Sequence, residues 1–285
     1  MIKAKKSLGQ NFLVDKNISR RIVEIVSPQK TDLIIEIGPG TGALTRLLIE
    51  KAGRVIALEI DPRLVDELRG SISSSDLEIV EADALNLDWR RLITAATASW
   101  AELNQEGDSS PRVRVVANLP YYISTPILQK LVGQHDLIFD MTLMLQSEVV
   151  ERIAAGPGGR EYGYLSVLVQ YYCEVKKLID VPASAFRPTP KVQSSVIRLV
   201  ARTRPPVEVS SEQSFFALVR AAFAQRRKTI LNNLKAAETQ MQFAAPIGEA
   251  LAEAKIDSRA RAERLSIADF ARLHVAIMEG RKACV

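Results

Sequence analysis

Short, mostly apolar runs recur along the first half of the chain, each ending at an acidic or turn residue. They are Asp32 to Ile37, Arg54 to Glu59, Leu77 to Val80 and Val113 to Ala117. Runs of that length, rich in branched residues and bounded by turn signals, predict buried parallel strands. The segments between them have apolar positions three or four apart and predict helices: Ile18 to Val26 ahead of Pro28, Ala43 to Lys51, a helix begun by Asp61-Pro62, and Pro126 to Val132. Farther on, a strand is expected over Leu137 to Leu145, helices over Ser147 to Ala154 and Tyr162 to Val169, and strands around Tyr171 to Ile179 and Ser194 to Val200. The last two lie close enough to pair as an antiparallel edge. Between Ala95 and Arg112 the pattern dissolves into small and polar residues, which reads as an exposed excursion with at most a short helix around Trp100.

The strand pattern stops at Thr203-Arg204-Pro205-Pro206, and only helical periodicity follows, over Glu212 to Phe223, Arg226 to Ala237, Pro246 to Ala254 and Ile267 to Glu279. The expected fold is therefore α/β. A Rossmann-like sheet with an antiparallel edge spans residues 1–203, and a small all-helical domain spans 204–285.

Candidate chemistry sits at the strand ends. Gly38-Pro39-Gly40-Thr41-Gly42 is a tight glycine loop after the first run, but it is not GxGxxG, since the third glycine comes one residue early and Glu36 supplies an acceptor. An acid beside such a turn suits a ligand with a hydroxylated sugar and a cationic tail. Glu59 lies 21 residues after Gly38, where an α/β fold holds ribose hydroxyls, and Asp83 can accept from an adenine amino group. Each acid alone also serves as a helix cap or surface charge; together the strand-end acids form a nucleoside site. The basic stretch Lys5 to Leu13 turns through Gly9, and folded over the sheet edge it would bring Asn11 and Leu13 over that site.

The run Val113 to Ala117 delivers Asn118-Leu119-Pro120-Tyr121-Tyr122. The Asn118 side-chain oxygen and the Leu119 backbone carbonyl can both accept from one amino group, which keeps its lone pair out of an aromatic ring and aims it outward. Pro120 removes a competing donor, and Tyr121 offers a face for a base. The same string is also ordinary turn punctuation, so the rest of the chain has to support the chemical reading. Phe186-Arg187-Pro188-Thr189-Pro190-Lys191 is expected as a stiff extended loop that on its own suits a hydrophobic plug with solvated charges equally well; in this context Phe186 is a candidate second stacking surface, with Arg187 and Lys191 displayed to a polyanion.

Composition narrows the options. The 285 residues are 47% hydrophobic, enough for a full core. No apolar stretch approaches membrane-spanning length and no signal core follows the basic start, so a cytoplasmic protein is expected. Cys173 and Cys284 are the only cysteines and His135 and His274 the only histidines, none in ligand spacing, which disfavours a zinc site or a histidine triad. From Phe186 to Lys235 ten Lys or Arg face two Glu, a local balance of +8 within a chain of +5. Such segregation is the footprint of a nucleic-acid face, with Arg226, Arg227 and Lys228 expected along one exposed helical turn.

Taken as an ordered set, GQNFL (Gly9 to Leu13), EIGPGTG (Glu36 to Gly42), Glu59, EADAL (Glu81 to Leu85), NLPYYISTPI (Asn118 to Ile127), FRPTPKVQSSVIRL (Phe186 to Leu199) and FAQRRKTILNNL (Phe223 to Leu234) closely resemble the ribosomal RNA adenine dimethyltransferases that act on small-subunit RNA. The resemblance covers nearly the whole chain. It implies a class I methyltransferase sheet and S-adenosylmethionine as cofactor, contacted by Asn11, Leu13, Gly38, Glu59, Asp83 and Asn118. It implies dimethyladenosine in a hairpin loop near the 3′ end as product, and the small-subunit rRNA within the immature small ribosomal subunit as partner. A monomer without metal is expected. Large-subunit adenine methyltransferases that confer macrolide resistance share the cofactor motifs, but Tyr122-Ile123-Ser124-Thr125-Pro126 and the Phe186 loop favour the small-subunit type.

Overall fold

Uninterrupted apolar sequence makes the central strands, and polar residues that cap or pair end them. In the computed structural model, which describes residues 2–103, 110–241 and 245–278, the elements run in order as β1 (Phe12–Leu13), α1 (Lys16–Val26), β2 (Asp32–Ile37), α2 (Thr45–Lys51), β3 (Arg54–Glu59), α3 (Pro62–Ser71), β4 (Leu77–Glu81), α4 (Trp89–Leu103), β5 (Arg112–Asn118) and α5 (Ser124–Val132). There follow β6 (Asp140–Gln146), α6 (Ser147–Ala154), α7 (Tyr164–Tyr172), β7 (Cys173–Val181), β8 (Phe186–Arg187), β9 (Ser194–Ala201), α8 (Glu212–Ala222), α9 (Ile230–Met241), α10 (Ile247–Glu253) and α11 (Ile267–Met278). Asp15 starts α1 by accepting from the backbone nitrogens of Asn17 and Ile18 at 2.8 and 3.1 Å.

Seven strands form one sheet in the order β4-β3-β2-β5-β6-β9-β7. The first five are mutually parallel, and β9 pairs antiparallel with both β6 and β7. This is the expected parallel sheet with an antiparallel edge. All six residues of β2 are buried. Of its two acids, Asp32 is paired with Arg112 and Arg114 at 2.9 Å each, and Arg114 also bonds Asp140 at 2.7 Å. Arg198 joins the same carboxylate. That network occupies the amino ends of the parallel strands, and it takes Arg198 out of the polyanion-binding face expected from charge segregation.

The chain divides into two compact units, and not at a single point. One contains the residues up to Val150 with Cys173–Arg202; the other contains Glu151–Tyr172 with the residues from Thr203. The expected division at 203/204 thus misses a helical excursion earlier in the chain. Its physical reason is aromatic. Tyr162, Val167 and Tyr171 are buried among Phe215, Leu218, Leu234 and Phe270 in the core of the helical unit, with the Tyr171 and Phe215 rings 5.4 Å apart.

Three further expectations are corrected. Ala95 to Leu103 is not an excursion but the second half of α4, held by the buried Trp100; residues 104–109 and Cys284 lie outside the described residues. Gln225 to Lys228 is an exposed turn between α8 and α9, not a helical turn. Phe186 is fully buried rather than displayed: it pairs in register with Leu13 and packs among Ile22, Val26, Ala185 and Val196. Arg187, next to it, is exposed and turns its guanidinium back onto the carbonyl of Phe186 at 2.9 Å, and Lys191 is exposed. Among the described residues no helix is long and apolar enough to cross a membrane.

A ring so enclosed should act through stability. Phe186→Ala is expected to cost about 3–5 kcal/mol, read as a lower urea midpoint, and Phe186→Leu to recover most of it; an unchanged midpoint for Phe186→Ala would place the ring outside the core.

Candidate active site

Strands β2 and β5 are neighbours in the sheet, and at this pair the strand order reverses direction. Ile37 lies opposite Ala117 in the ladder, so Gly38 and Asn118 leave the sheet side by side at its carboxyl edge. Open α/β sheets bind ligands in this crevice. One pocket there is lined by Asn11, Leu13, Gly38, Glu59, Asp83, Asn118, Leu119 and Tyr121, all expected from the sequence. Phe186, Arg187 and Lys191 are not among its lining residues.

Glu59 and Asp83 are held by nearby donors, mostly backbone nitrogens. Glu59 ends β3, and its Oε1 accepts from the nitrogens of Ile60 and Asp61 at 2.9 Å each while its Oε2 accepts from Gly40 N at 3.2 Å. Burial nonetheless pushes its carboxyl up from the ordinary value. Gly40 has φ +58°, and a Cβ there would sit 3.0 Å from the Phe12 ring, so the loop and the N-terminal segment close on one another only through glycine. Asp83 is fixed by accepting from Leu85 N at 2.8 Å and Asn86 Nδ2 at 2.7 Å. Glu59 Oε2 and both Asp83 oxygens each carry one donor and keep a lone pair for a ligand, whereas Glu59 Oε1 is filled by its two backbone donors.

Glu36, noted in the sequence only as an acceptor, is central here. It is buried at the end of β2, lines the pocket, and its Oε2 has no hydrogen-bond partner. Burial pushes its carboxyl up to about 7; Thr45 pulls only part of the way back and the Glu59 charge adds to the rise. A buried carboxyl with one oxygen unpartnered suits a cationic group of the ligand. A Cβ on Gly38 would meet nothing nearer than the Asn118 carbonyl at 3.8 Å, so that side of the loop is open to a ligand. The donor set fits a nucleoside carrying a positively charged amine.

Asn118 is only half-buried, and its Nδ2 donates to the Asn11 carbonyl at 3.2 Å. Because a carbonyl oxygen only accepts, this bond sets which branch of the carboxamide is nitrogen. The oxygen is the branch left for an amino group in the pocket. Leu119 buries its side chain and anchors its backbone to the Met144 carbonyl at 3.2 Å, which holds the turn to the sheet. The Tyr121 hydroxyl pairs with Ser194 Oγ at 2.7 Å, fixing the ring at the pocket wall, and burial raises its pKa. Tyr122, also lining the pocket, is 58% exposed.

Comparison with known proteins shows the family. Residues 1–278 match the ribosomal RNA adenine dimethylase family. The chain belongs to that family. Ribosomal RNA small subunit methyltransferase A of Shouchella clausii is 47% identical over 274 residues, covering 96% of this chain and 89% of that protein. The protein of the same name from Moorella thermoacetica is 47% identical over 268 residues, covering 94% of this chain and 90% of the other. Among solved structures, a dimethyladenosine transferase from Plasmodium falciparum superposes with a TM-score of 0.72 at 27% identity, covering 92% of this chain and 95% of that one. The 23S rRNA methyltransferase ErmE superposes at 0.65 with 24% identity, covering 94% and 99%, a likeness of fold. This adenine dimethylase family member is thus a methyltransferase. In its helical unit, Arg226, Arg227 and Lys228 are exposed, with Arg226 donating to the Arg160 carbonyl.

The raised Glu36 carboxyl has a stability consequence of definite sign. The folded protein keeps this proton up to about pH 7, whereas the unfolded chain gives it up near the ordinary value of 4.5. Folding therefore loses stability as pH rises through that window. Glu36→Gln, which cannot ionise, should gain on the parent between pH 4.5 and 7 and hold a constant lead above it, measured by urea unfolding across pH; a pH-independent difference would contradict the buried ionisation.

Proposed function

We propose that this methyltransferase uses S-adenosylmethionine to dimethylate the exocyclic amino groups of adenines in a hairpin loop near the 3′ end of small-subunit rRNA, acting on the immature small subunit. The observation that carries the reading is the Asn118 carboxamide, locked by the Asn11 carbonyl with its oxygen free in the pocket. The small-subunit relatives at 47% identity and the NLPYYISTPI string favour this substrate over large-subunit RNA.

Glu59 holds the ribose hydroxyls, Asp83 the adenine amine, Glu36 the cationic amino group of the methionine portion, and Asn11, Leu13 and Gly38 close around the ligand. When bound, the cofactor supplies a methyl group on a sulfonium, already electrophilic. In the first transfer Asn118 Oδ1 and the Leu119 carbonyl accept the two N–H bonds of the target amine, holding its lone pair in line with the methyl and stabilising the positive charge that develops on nitrogen, which then gives up one proton to solvent; in the second transfer the pair holds the one N–H that remains. Tyr121 stacks on the extruded base, offsetting part of the few kcal/mol that unstacking costs. Phe186, being buried, supports this pocket through Leu13 and the N-terminal segment rather than by stacking. Arg226, Arg227 and Lys228 contact RNA phosphates from the helical unit, and Arg187 and Lys191 add positive charge from the sheet unit.

Mass mapping of small-subunit RNA incubated with protein and cofactor should find dimethyladenosine in the 3′-end hairpin; modification confined to large-subunit RNA would favour the rival substrate. Asn118→Ala is expected to keep cofactor binding measurable and to lose about 100-fold or more in transfer rate, whereas equal loss of both would contradict its role. Neutralising Arg226, Arg227 and Lys228 together should weaken RNA binding and flatten its log–log salt slope by about two, and an unchanged slope would remove the turn from the RNA face.

A further inference from the structure

Asp61 is fully buried although it begins an exposed-sided helix, and it carries far more partners than a helix cap needs. Its Oδ1 accepts from Lys5 Nζ at 3.0 Å and its Oδ2 from Gln10 Nε2 at 3.2 Å, both from the N-terminal arm. Arg63 adds Nε and Nη2 at 3.0 and 2.6 Å. Gln10 also accepts the Lys5 backbone nitrogen through Oε1 at 2.7 Å, so the two arm residues form one closed clasp on the carboxylate. These cations and amides, Arg63 foremost, hold the Asp61 carboxyl well below the usual range.

The clasp lies one residue from Asn11. Beyond Asn11 the arm is fastened again, by the Leu13–Phe186 pair and by Val14 N donating to the Ala185 carbonyl at 2.9 Å. Asn11 therefore hangs between two anchors, and its carbonyl is the acceptor for Asn118 Nδ2. Gly9, at φ +56°, makes the bend between the two clasp residues, with a would-be Cβ 2.8 Å from the Tyr122 ring, so the arm is also seated on the Asn118 turn. At its other side Asp61 donates its backbone nitrogen to Glu59 Oε1 at 2.9 Å.

We infer that Asp61 is a positioning residue for the methyl-transfer site: by clasping Lys5 and Gln10 it holds the Asn11 carbonyl where it orients the Asn118 carboxamide, and through Glu59 it ties that orientation to the cofactor's ribose subsite. The inference rests on the proposed role of Asn118. Without the clasp the arm is fastened at one end only, and the carboxamide loses the acceptor that distinguishes its nitrogen from its oxygen. The effect falls on the step that needs alignment, where a displacement of an ångström costs up to about 100-fold.

The double variant Lys5→Met/Gln10→Leu cuts the clasp and leaves Asp61 its helix cap and Arg63. With ¹⁵N-asparagine labelling, the Asn118 side-chain amide, assigned by its loss in Asn118→Ala, should exchange with solvent faster in the double variant than in the parent. The kcat of RNA methylation should fall about 10- to 100-fold with KM for RNA nearly unchanged, and Lys5→Arg should retain the parent rate. An unchanged amide exchange rate together with an unchanged kcat would overturn the inference, as would a loss confined to KM. If the parent itself transferred no methyl to RNA, the functional reading would fall, and the amide exchange would still decide whether the clasp holds the carboxamide.

Discussion

The ladder between β2 and β5 is the constraint on which the site depends. It pairs Ile37 with Ala117 and so places the glycine loop and the Asn118 turn at one edge, although 80 residues of chain separate the strands' first residues. A slip of one position would turn every side chain of either strand to the other face and bury Asn118's neighbours in the wrong layer. The buried pairing of Asp32 with Arg112 and Arg114 at the opposite end of the same strands opposes such a slip, because any other register leaves charges unpaired away from water. The far end of the sheet is therefore a register lock, and the near end is the place of chemistry.

Electrostatics at the near end follows from burial rather than from number of charges. Glu36 and Glu59 stand at the ends of neighbouring strands in a nearly dry setting. Glu59 is satisfied by three backbone donors and needs no ligand to be tolerated; Glu36 keeps an oxygen unpartnered. The second arrangement stores a preference for a cation that only a ligand can supply. The first shapes a rigid acceptor for hydroxyls. Two residues of the same kind thus take different tasks from their different shells of donors.

The N-terminal arm connects these features. It lines the pocket, is seated on Asp61 at one end and on β8 at the other, and presents the carbonyl that orients Asn118. Phe186 belongs to this support: the ring that a sequence reading would display as a stacking surface fills the core beneath Leu13. In the proposed function base stacking is assigned to Tyr121, whose hydroxyl is fixed through Ser194, with Tyr122 exposed beside it. The helical unit has its own aromatic core around Tyr171 and Phe215 and carries the exposed basic turn.

By itself the sequence determined the parallel strands and the polar residues at their ends, because an unbroken apolar run has no other stable place than a sheet covered on both faces, and the residue that ends it must reach the edge. Gly38, Glu59, Asp83 and Asn118 were legible for that reason, and Asn11 and Leu13 through the family string that carries them. What only the tertiary structure decided depends on partners far away in the chain. Phe186 is apolar and flanked by prolines, a pattern that suits display or burial equally until Leu13 and Val196 close over it. Arg198 counts as positive charge in any local tally until Asp140 pairs with it. Residues 151–172 join the helical unit because aromatic rings from beyond Thr203 complete their core. The orientation of Asn118 rests on a carbonyl 107 residues away, and a hydrogen bond over that span leaves no periodicity in the sequence to be read.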